Sequence, residues 1–428
     1  MTTGLVLTIF VGAYVLIATE RVHRVAAALS GAGLVVAIGV LDSDDIFYSH
    51  STGIDWNVLG LLLGMMIIVG VLKQTGVFEA AAIWAVQKAR GAPFRVMALL
   101  VVLTAAASAL LDNVTTVLLV APVTLVVCER LGLVAAPYLI AEALASNLGG
   151  TATLIGDPPN IIIGTRAGLS FDEFAINLVP PVALALGAFL LWLRWHTRDQ
   201  RDVDPERVAA VLALDAGQAI RDRGLLVRCG AVLAAVLVGF TLHTVTGVEP
   251  SLVALLGAGL LVALSGATPD SYLREVEWET LAFFAGLFVL VGSLVKVGVV
   301  DHLASWATSA TGGNVAVAVF GVLFVSVVLS AVVDNIPYVA TMTPLVAQVT
   351  ADLHPAHPHV LWWALALGAD FGGNATAVGA SANVVVIGLA RRAGQPVSFR
   401  QFLRYGVPAT AVTVTAAAAW LALRYFIL

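Results

Sequence analysis

The chain contains the same pattern twice. Asp55-Trp56-Asn57-Val58-Leu59, with Gly64, Gly70 and Gly76 behind it, recurs 222 residues later as Glu277-Trp278-Glu279-Thr280-Leu281 with Gly286, Gly292 and Gly298. The same offset carries Asp112-Asn113 and Pro122 onto Asp334-Asn335 and Pro344. One residue further on, Gly149-Gly150-Thr151-Ala152-Thr153 matches Gly372-Gly373-Asn374-Ala375-Thr376, and Gly156 and Asn160 match Gly379 and Asn383. Three blocks in one register mean two copies of one supersecondary unit, so the fold has to be built from two like halves.

The residues around these blocks identify the medium. Of 428 residues, 60% are hydrophobic and 11% charged, whereas a soluble domain carries about 25% charged residues. Apolar runs recur from end to end. The first, from Leu5 to Thr19, has no Lys or Arg before Arg21 and reads as a span, not a signal peptide. Each half reads as three spans, an amphipathic helix, a hydrophobic hairpin, an interrupted span and a closing span. In the first half these cover 3–20, 24–41, 57–73, 76–90, 93–128, 133–168 and 174–196. In the second they cover 224–245, 250–266, 280–297, 300–311, 313–351, 359–391 and 405–426. The predicted class is an all-α polytopic membrane protein with halves 1–196 and 224–428, joined by a cytoplasmic linker, 197–223, read as one short solvated helix.

Segment 93–128 is long enough to cross twice, but Asp112-Asn113 at its middle points to a turn inside the membrane, hence a re-entrant hairpin; 313–351 reads likewise. Each half then crosses five times, an odd number, which turns the second half upside down relative to the first. Charge placement agrees. With the N-terminus outside, all of the 22 Lys and Arg, Arg201 in the linker included, fall on the cytoplasmic side except Arg166, Lys296 and Arg424. The expected location is the cytoplasmic (inner) membrane, with both termini outside.

Carboxylates and unwound backbone are costly in hydrocarbon unless they face protein, water or an ion. Yet Asp112, Asp157, Asp334 and Asp370 lie in the most apolar segments, each beside helix-breaking residues. Two hairpin tips and two Gly-Gly breaks meeting at the midplane would set half-helix ends against one another, lined with amides and carbonyls. Candidate substrate and ion ligands are Asp112, Asn113, Thr115, Thr116, Asn147, Gly149, Gly150, Thr151, Thr153, Asp157 and Asn160 in the first half. The second supplies Asp334, Asn335, Thr341, Asp370, Gly372, Gly373, Asn374, Thr376, Ser381 and Asn383. Sodium could be held at Asp112, Asn113, Asp334 and Asn335. A plainer reading makes Asp112 and Asp334 N-caps and the glycines packing residues. The acids are placed unequally: Asp157 faces Ala380 in the repeat, and Asn147 faces Asp370, which would let one half handle a proton differently from the other.

Other residues read as structural. Glu142 is expected either to face the cavity, as a weaker candidate ligand, or to snorkel toward a helix end, the latter being the favoured reading. The nine Trp, Trp362-Trp363 included, are assigned to the interfaces. Cys128 and Cys229 read as inert thiols, and His354, His357 and His359, interleaved with Pro355 and Pro358, as a solvated loop.

The strings Leu111-Asp112-Asn113-Val114-Thr115-Thr116-Val117 and Gly149-Gly150-Thr151-Ala152-Thr153-Leu154-Ile155-Gly156-Asp157-Pro158-Pro159-Asn160, with their second-half partners, resemble the ion transporter superfamily. The nearest branch is that of arsenite permeases, D-type sodium/proton antiporters and the P protein. This resemblance implies a scaffold domain that holds a homodimer and a transport domain that moves as an elevator, with the hairpin tips and breaks cradling solute and coupling ion. Dicarboxylate carriers of the superfamily resemble Ser-Asn-Thr at the tips; here Asp112-Asn113-Val114 and Asp334-Asn335-Ile336 replace it, which disfavours a dianion.

The expected function is secondary transport of a small inorganic solute, arsenite- or antimonite-type efflux coupled to protons. The alternatives are sodium/proton antiport and an anion or dicarboxylate carrier or channel. An enzyme is not expected: the Gly-x-Gly-Asp motif of intramembrane aspartyl proteases and the Walker motif are missing, although a soluble ATPase could serve as partner. No cofactor is called for beyond a coupling proton or sodium, and a net charge of −5 gives no reason to expect nucleic acid.

Overall fold

Backbone in lipid can satisfy its hydrogen bonds only within itself, which in a single apolar chain favours helices. The computed structural model describes residues 2–19, 21–198, 203–213, 215–266 and 268–427, and Arg201 lies outside them. Among the described residues every regular element is helical. The first half holds α1 (Thr2–Thr19), α2 (Arg24–Ala37), α3 (Trp56–Lys73), α4 (Val77–Ala89), α5 (Pro93–Ser108), α6 (Asn113–Leu131), α7 (Ala135–Gly150), α8 (Pro158–Ala167) and α9 (Phe171–His196). The second holds α10 (Arg223–Thr241), α11 (Pro250–Ser265), α12 (Trp278–Lys296), α13 (Val299–Ala310), α14 (Val315–Ser330), α15 (Asn335–Leu353), α16 (Val360–Gly373), α17 (Ser381–Arg392) and α18 (Phe399–Ala422). Each of these eighteen helices thus has its counterpart nine places on or back.

The correspondence reaches single atoms. The indole N–H groups of Trp56 and Trp278 donate to the carbonyls of Phe47 and Leu273, each at 3.1 Å. Helices α4 and α13 both start from a left-handed glycine, Gly76 at φ +77° and Gly298 at φ +73°, a conformation that a side chain would strain. Hairpin helices α6 and α15 begin at Asp112 and Asp334, whose carboxylates accept the Thr115 N–H (2.8 Å) and the Ile336 N–H (3.1 Å).

Contacts between the halves are reciprocal. Helix α2 packs on α12 and α11 on α3, while α8 packs on α15 and α17 on α6. A Cβ on Gly64 would lie 2.6 Å from the Ala254 backbone, and one on Gly286 would lie 3.0 Å from that of Ala28, so the same small residue permits both crossings. Lys73, ending α3, pairs with Glu275 at 2.6 Å; Lys296, ending α12, pairs with Asp45 at 2.9 Å and holds that carboxyl below its usual range. Such swapped pairs are what a two-fold relation between halves produces.

Among the described residues seven helices are long and apolar enough to cross a bilayer alone: α1, α3, α6, α9, α10, α12 and, with the turn that follows it, α18. Leu191 and Val227 on the outer helices are each 71% exposed, an apolar surface suited to lipid. Helices α13 and α14 meet at 120°.

Several expectations need correction. The linker forms two short helices, Pro205–Leu212 and Ala216–Ala219, not one. Helix α2 stops at Ala37, ahead of the left-handed Gly39, and not at 41. The closing helices start early, at Phe171 and Phe399, because Ser170 and Ser398 cap them. Trp362 and Trp363 are buried, and Trp363 sits edge-on to Phe174 at 5.4 Å. Every residue of α16 is buried, so that helix has no side from which a tryptophan could reach an interface.

Candidate substrate and ion site

Helices α7 and α16 form the centre of the molecule, buried on all sides apart from Pro137. Glycine makes this depth accessible. A Cβ on Gly149 would strike the Ala105 carbonyl of α5, and one on Gly372 would lie 2.6 Å from the Val327 carbonyl of α14. Beyond Gly150 and Gly373 both helices break, and the freed carbonyls need donors. The Asn160 amide supplies Gly150 and Thr153 at 3.0 Å each, and the Asn383 amide supplies Gly373 and Thr376 at 2.9 Å each. The Thr153 hydroxyl bonds the Ala109 carbonyl, and that of Thr376 bonds the Ala331 carbonyl at 2.6 Å, tying each break to its own hairpin tip.

Where breaks and tips meet, the two halves share one polar network. The Asn113 amide donates to Asn147 Oδ1 and Asp157 Oδ2, both at 3.0 Å. From the other half, the Asn335 amide donates to the same Asp157 oxygen at 3.1 Å and to Asp370 Oδ1 at 3.2 Å. Asn147 donates to Asn374 Oδ1 at 2.8 Å and Asn383 Oδ1 at 3.4 Å, and Asn374 to the Leu144 carbonyl at 3.1 Å. Asp157, Asp370, Asn147, Asn160 and Asn383 have no solvent exposure. One oxygen of each central acid, Asp157 Oδ1 and Asp370 Oδ2, has no hydrogen-bond partner. Among the described residues no Lys, Arg or His is buried, so no fixed cation balances the pair.

The expected acids therefore divide into two kinds. Asp157 and Asp370 sit in the network, and Asp157 makes no cap bond although it occupies an N-cap position. Asp112 and Asp334 are caps at its edge. Asp112 borders a narrow apolar crevice with Met65 and Ile161. Asp334 accepts the Ser381 hydroxyl at 2.6 Å, which in turn takes a hydrogen bond from Arg24 at 3.1 Å. Thr115 contributes its backbone N–H, Thr116 has a buried hydroxyl without a partner, Thr151 bonds the Asn147 carbonyl at 2.8 Å, and Thr341 bonds Tyr14. Glu142 does not snorkel: it is fully buried and accepts the Thr124 hydroxyl at 2.5 Å.

Two further cavities lie around the bundle, and they are not repeat counterparts: the first corresponds instead to the crevice at Asp112. One, of about 400 Å³, is lined by Arg24, Phe283, Asp334, Pro337 and Ser381 and so reaches a hairpin tip. The other, of about 410 Å³, is lined by Asp55, Asn57, Arg166, His243 and Ser251; there Arg166 pairs with Asp55 at 3.7 Å. Sequence reasoning missed Arg24 and Arg166 as site neighbours because it treated them only as markers of orientation. No group of three His, Cys, Asp or Glu among the described residues converges as a metal-holding set.

Comparison with known proteins agrees with this architecture. The profile of a family described as citrate transporter (CitMHS) matches residues 14–368. An uncharacterised transporter of Mycobacterium bovis is 59% identical over 423 residues, 98% of this chain and 98% of its own length. The P protein of Sus scrofa is 34% identical over 487 residues, which is 95% of this chain but 57% of that longer protein. The solved YdaH transporter of Alcanivorax borkumensis matches with a TM-score of 0.61 at 17% identity, over 99% of this chain and 98% of that one, a likeness of fold.

Proposed function

The chain belongs to the citrate transporter family, and on that footing we propose that it moves a small inorganic solute coupled to protons, with an arsenite- or antimonite-type hydroxide as the first candidate cargo. Membership makes it a multi-pass membrane transporter and not an enzyme. The coupling rests on one observation: Asp157 and Asp370 are fully buried, one oxygen of each has no hydrogen-bond partner, and among the described residues no buried cation accompanies them. An ionised carboxylate so placed carries a penalty of several kcal/mol. Each acid therefore takes up a proton or a hard cation when it is sealed in, and gives it up when water reaches it. A neutral hydroxide can share such a site in either state, and the Asn113, Asn147, Asn335 and Asn374 amides offer it donors and acceptors.

The reciprocal contacts fit inverted halves, with both termini outside in the inner membrane. The same proposal has the hairpins and broken helices carry the site past a dimeric scaffold. A second reading, a citrate carrier, is favoured by the family's description and by Arg24 in the cavity at Asp334. Against it stands the pair of central acids.

Purified protein in proteoliposomes, given arsenite, antimonite, sodium, chloride and citrate side by side under an imposed proton gradient, tests these readings. Saturable arsenite or antimonite flux that follows the gradient and shows counterflow is expected. Gradient-driven citrate uptake would move the assignment to the second reading. Flux driven by sodium with no response to the proton gradient would overturn proton coupling, and unitary currents would make the protein a channel.

A further inference from the structure

Helix α7 carries a polar ladder that the central site does not use. Tyr138, Glu142 and Ser146 follow one another at i, i+4 and i+8, on one face, and all three are buried. At its outer end the Tyr138 hydroxyl donates to the carbonyl of Pro93, the first residue of α5, at 3.2 Å. At the inner end Ser146 adjoins Asn147, the network residue that receives Asn113. Between them Glu142 accepts the Thr124 hydroxyl of α6 through Oε1, while Oε2 has no hydrogen-bond partner.

The second half shows that the fold does not need this ladder. The corresponding positions, 223 residues on, are Leu361, Leu365 and Ala369, and Thr124 corresponds to Val346. Helices α15 and α16 pack by the same scheme with apolar side chains there. A carboxylic acid inserted into an interior that its twin fills with leucine has no packing reason to be present. The ionisable groups around it offer no counter-charge. Cys128 on α6 is buried within electrostatic reach of it, and Asp370 on α16 is the other buried acid on a helix packed against α7. Arg95 on α5, Glu129 and Arg130 on α6, and Arg391 and Arg392 on α17 are exposed at helix ends, as are the arginines of α9 and α18.

We propose that Glu142 is a proton-relay residue, passing protons along the α6–α7 seam between the aqueous end of the bundle and the Asp157–Asp370 pair. This deepens the proton-coupled reading and rests on it. Glu142 lies five residues before Asn147, roughly 7.5 Å along the helix. Within that interval stands the Ser146 hydroxyl, which donates to the Ala143 carbonyl at 2.8 Å and keeps its oxygen as an acceptor. In each transfer Oε2 takes a proton from the outer side and releases it toward the centre, so nothing but a proton moves. Because the ladder exists in one half only, the seam serves one face of the membrane.

The test compares wild type with Glu142→Gln and with the double variant Glu142→Leu, Thr124→Val, which reproduces the second half's own pair and so preserves packing. Both should keep solute counterflow, which requires no net proton movement, while losing at least about tenfold in gradient-driven net flux, about 1.4 kcal/mol. The pH profile should flatten. Infrared spectra of the purified protein between about pH 5 and about pH 9 should show a protonated-carboxyl band that Glu142→Gln removes. Wild-type net flux and pH profile in both variants would overturn the relay while leaving the central pair intact. If instead wild type ignores the proton gradient, the coupling reading itself fails, and a carboxyl band unchanged in Glu142→Gln would then dispose of Glu142 as a proton-binding group as well.

Discussion

Asp157→Asn is expected to lower proton-driven flux at least about 100-fold, equivalent to about 2.7 kcal/mol, with thermal stability unchanged to within about 1 kcal/mol. The amide keeps an oxygen where Asp157 Oδ2 accepts Asn113 and Asn335, so the bridge between the hairpin tips survives. What disappears is the capacity to bind and release a proton. Asp112→Asn is the informative partner, since asparagine caps helices about as well as aspartate and Asp112 lies outside the network. Its flux should fall far less. Equal losses in the two variants, or wild-type coupling in Asp157→Asn, would refute the division of the acids into network and caps.

A second large effect is expected at Gly372. Valine there would drive a Cβ to within 2.6 Å of the Val327 carbonyl and 2.7 Å of its Cα, both backbone atoms that cannot step aside. Overpacking of this kind costs about 1–3 kcal/mol or more, and α16 is surrounded on every side. Gly372→Val should leave little monodisperse protein after detergent extraction. Gly388→Ala is the control: nothing lies within 4 Å of the added carbon in α17, and alanine is the better helix former. That variant should melt at or above the wild-type temperature. A well-folded Gly372→Val would show that the α14–α16 approach is slack.

Much of this was legible in the sequence because duplication marks what matters. Asp112-Asn113, the Gly-Gly breaks and Asn160 with Asn383 were all found as matched pairs, and each member does the same structural work as its twin. The unequal placing of Asp157 and Asp370 was visible too, since an exception shows up once a rule is known. Glu142, Trp362 and Trp363 were misplaced for one physical reason. In an apolar chain a helix buried by protein and a helix bathed in lipid have the same hydropathy, so periodicity does not say which side is interior. The caps stood in the sequence only as the plainer of two readings, because whether an acid at a hairpin tip points along its own helix or across to the other half depends on backbone angles that composition does not carry.

Unequal acids also bear on whether either half could serve alone. Were the first half to pair with a copy of itself, the centre would hold two aspartates at the break and none on the inner helices; a pair of second halves would hold the reverse. Neither arrangement sets one acid at a break against one within a helix, as Asp157 and Asp370 are set here. The two halves are therefore complementary parts, and neither could form this centre by pairing with a copy of itself.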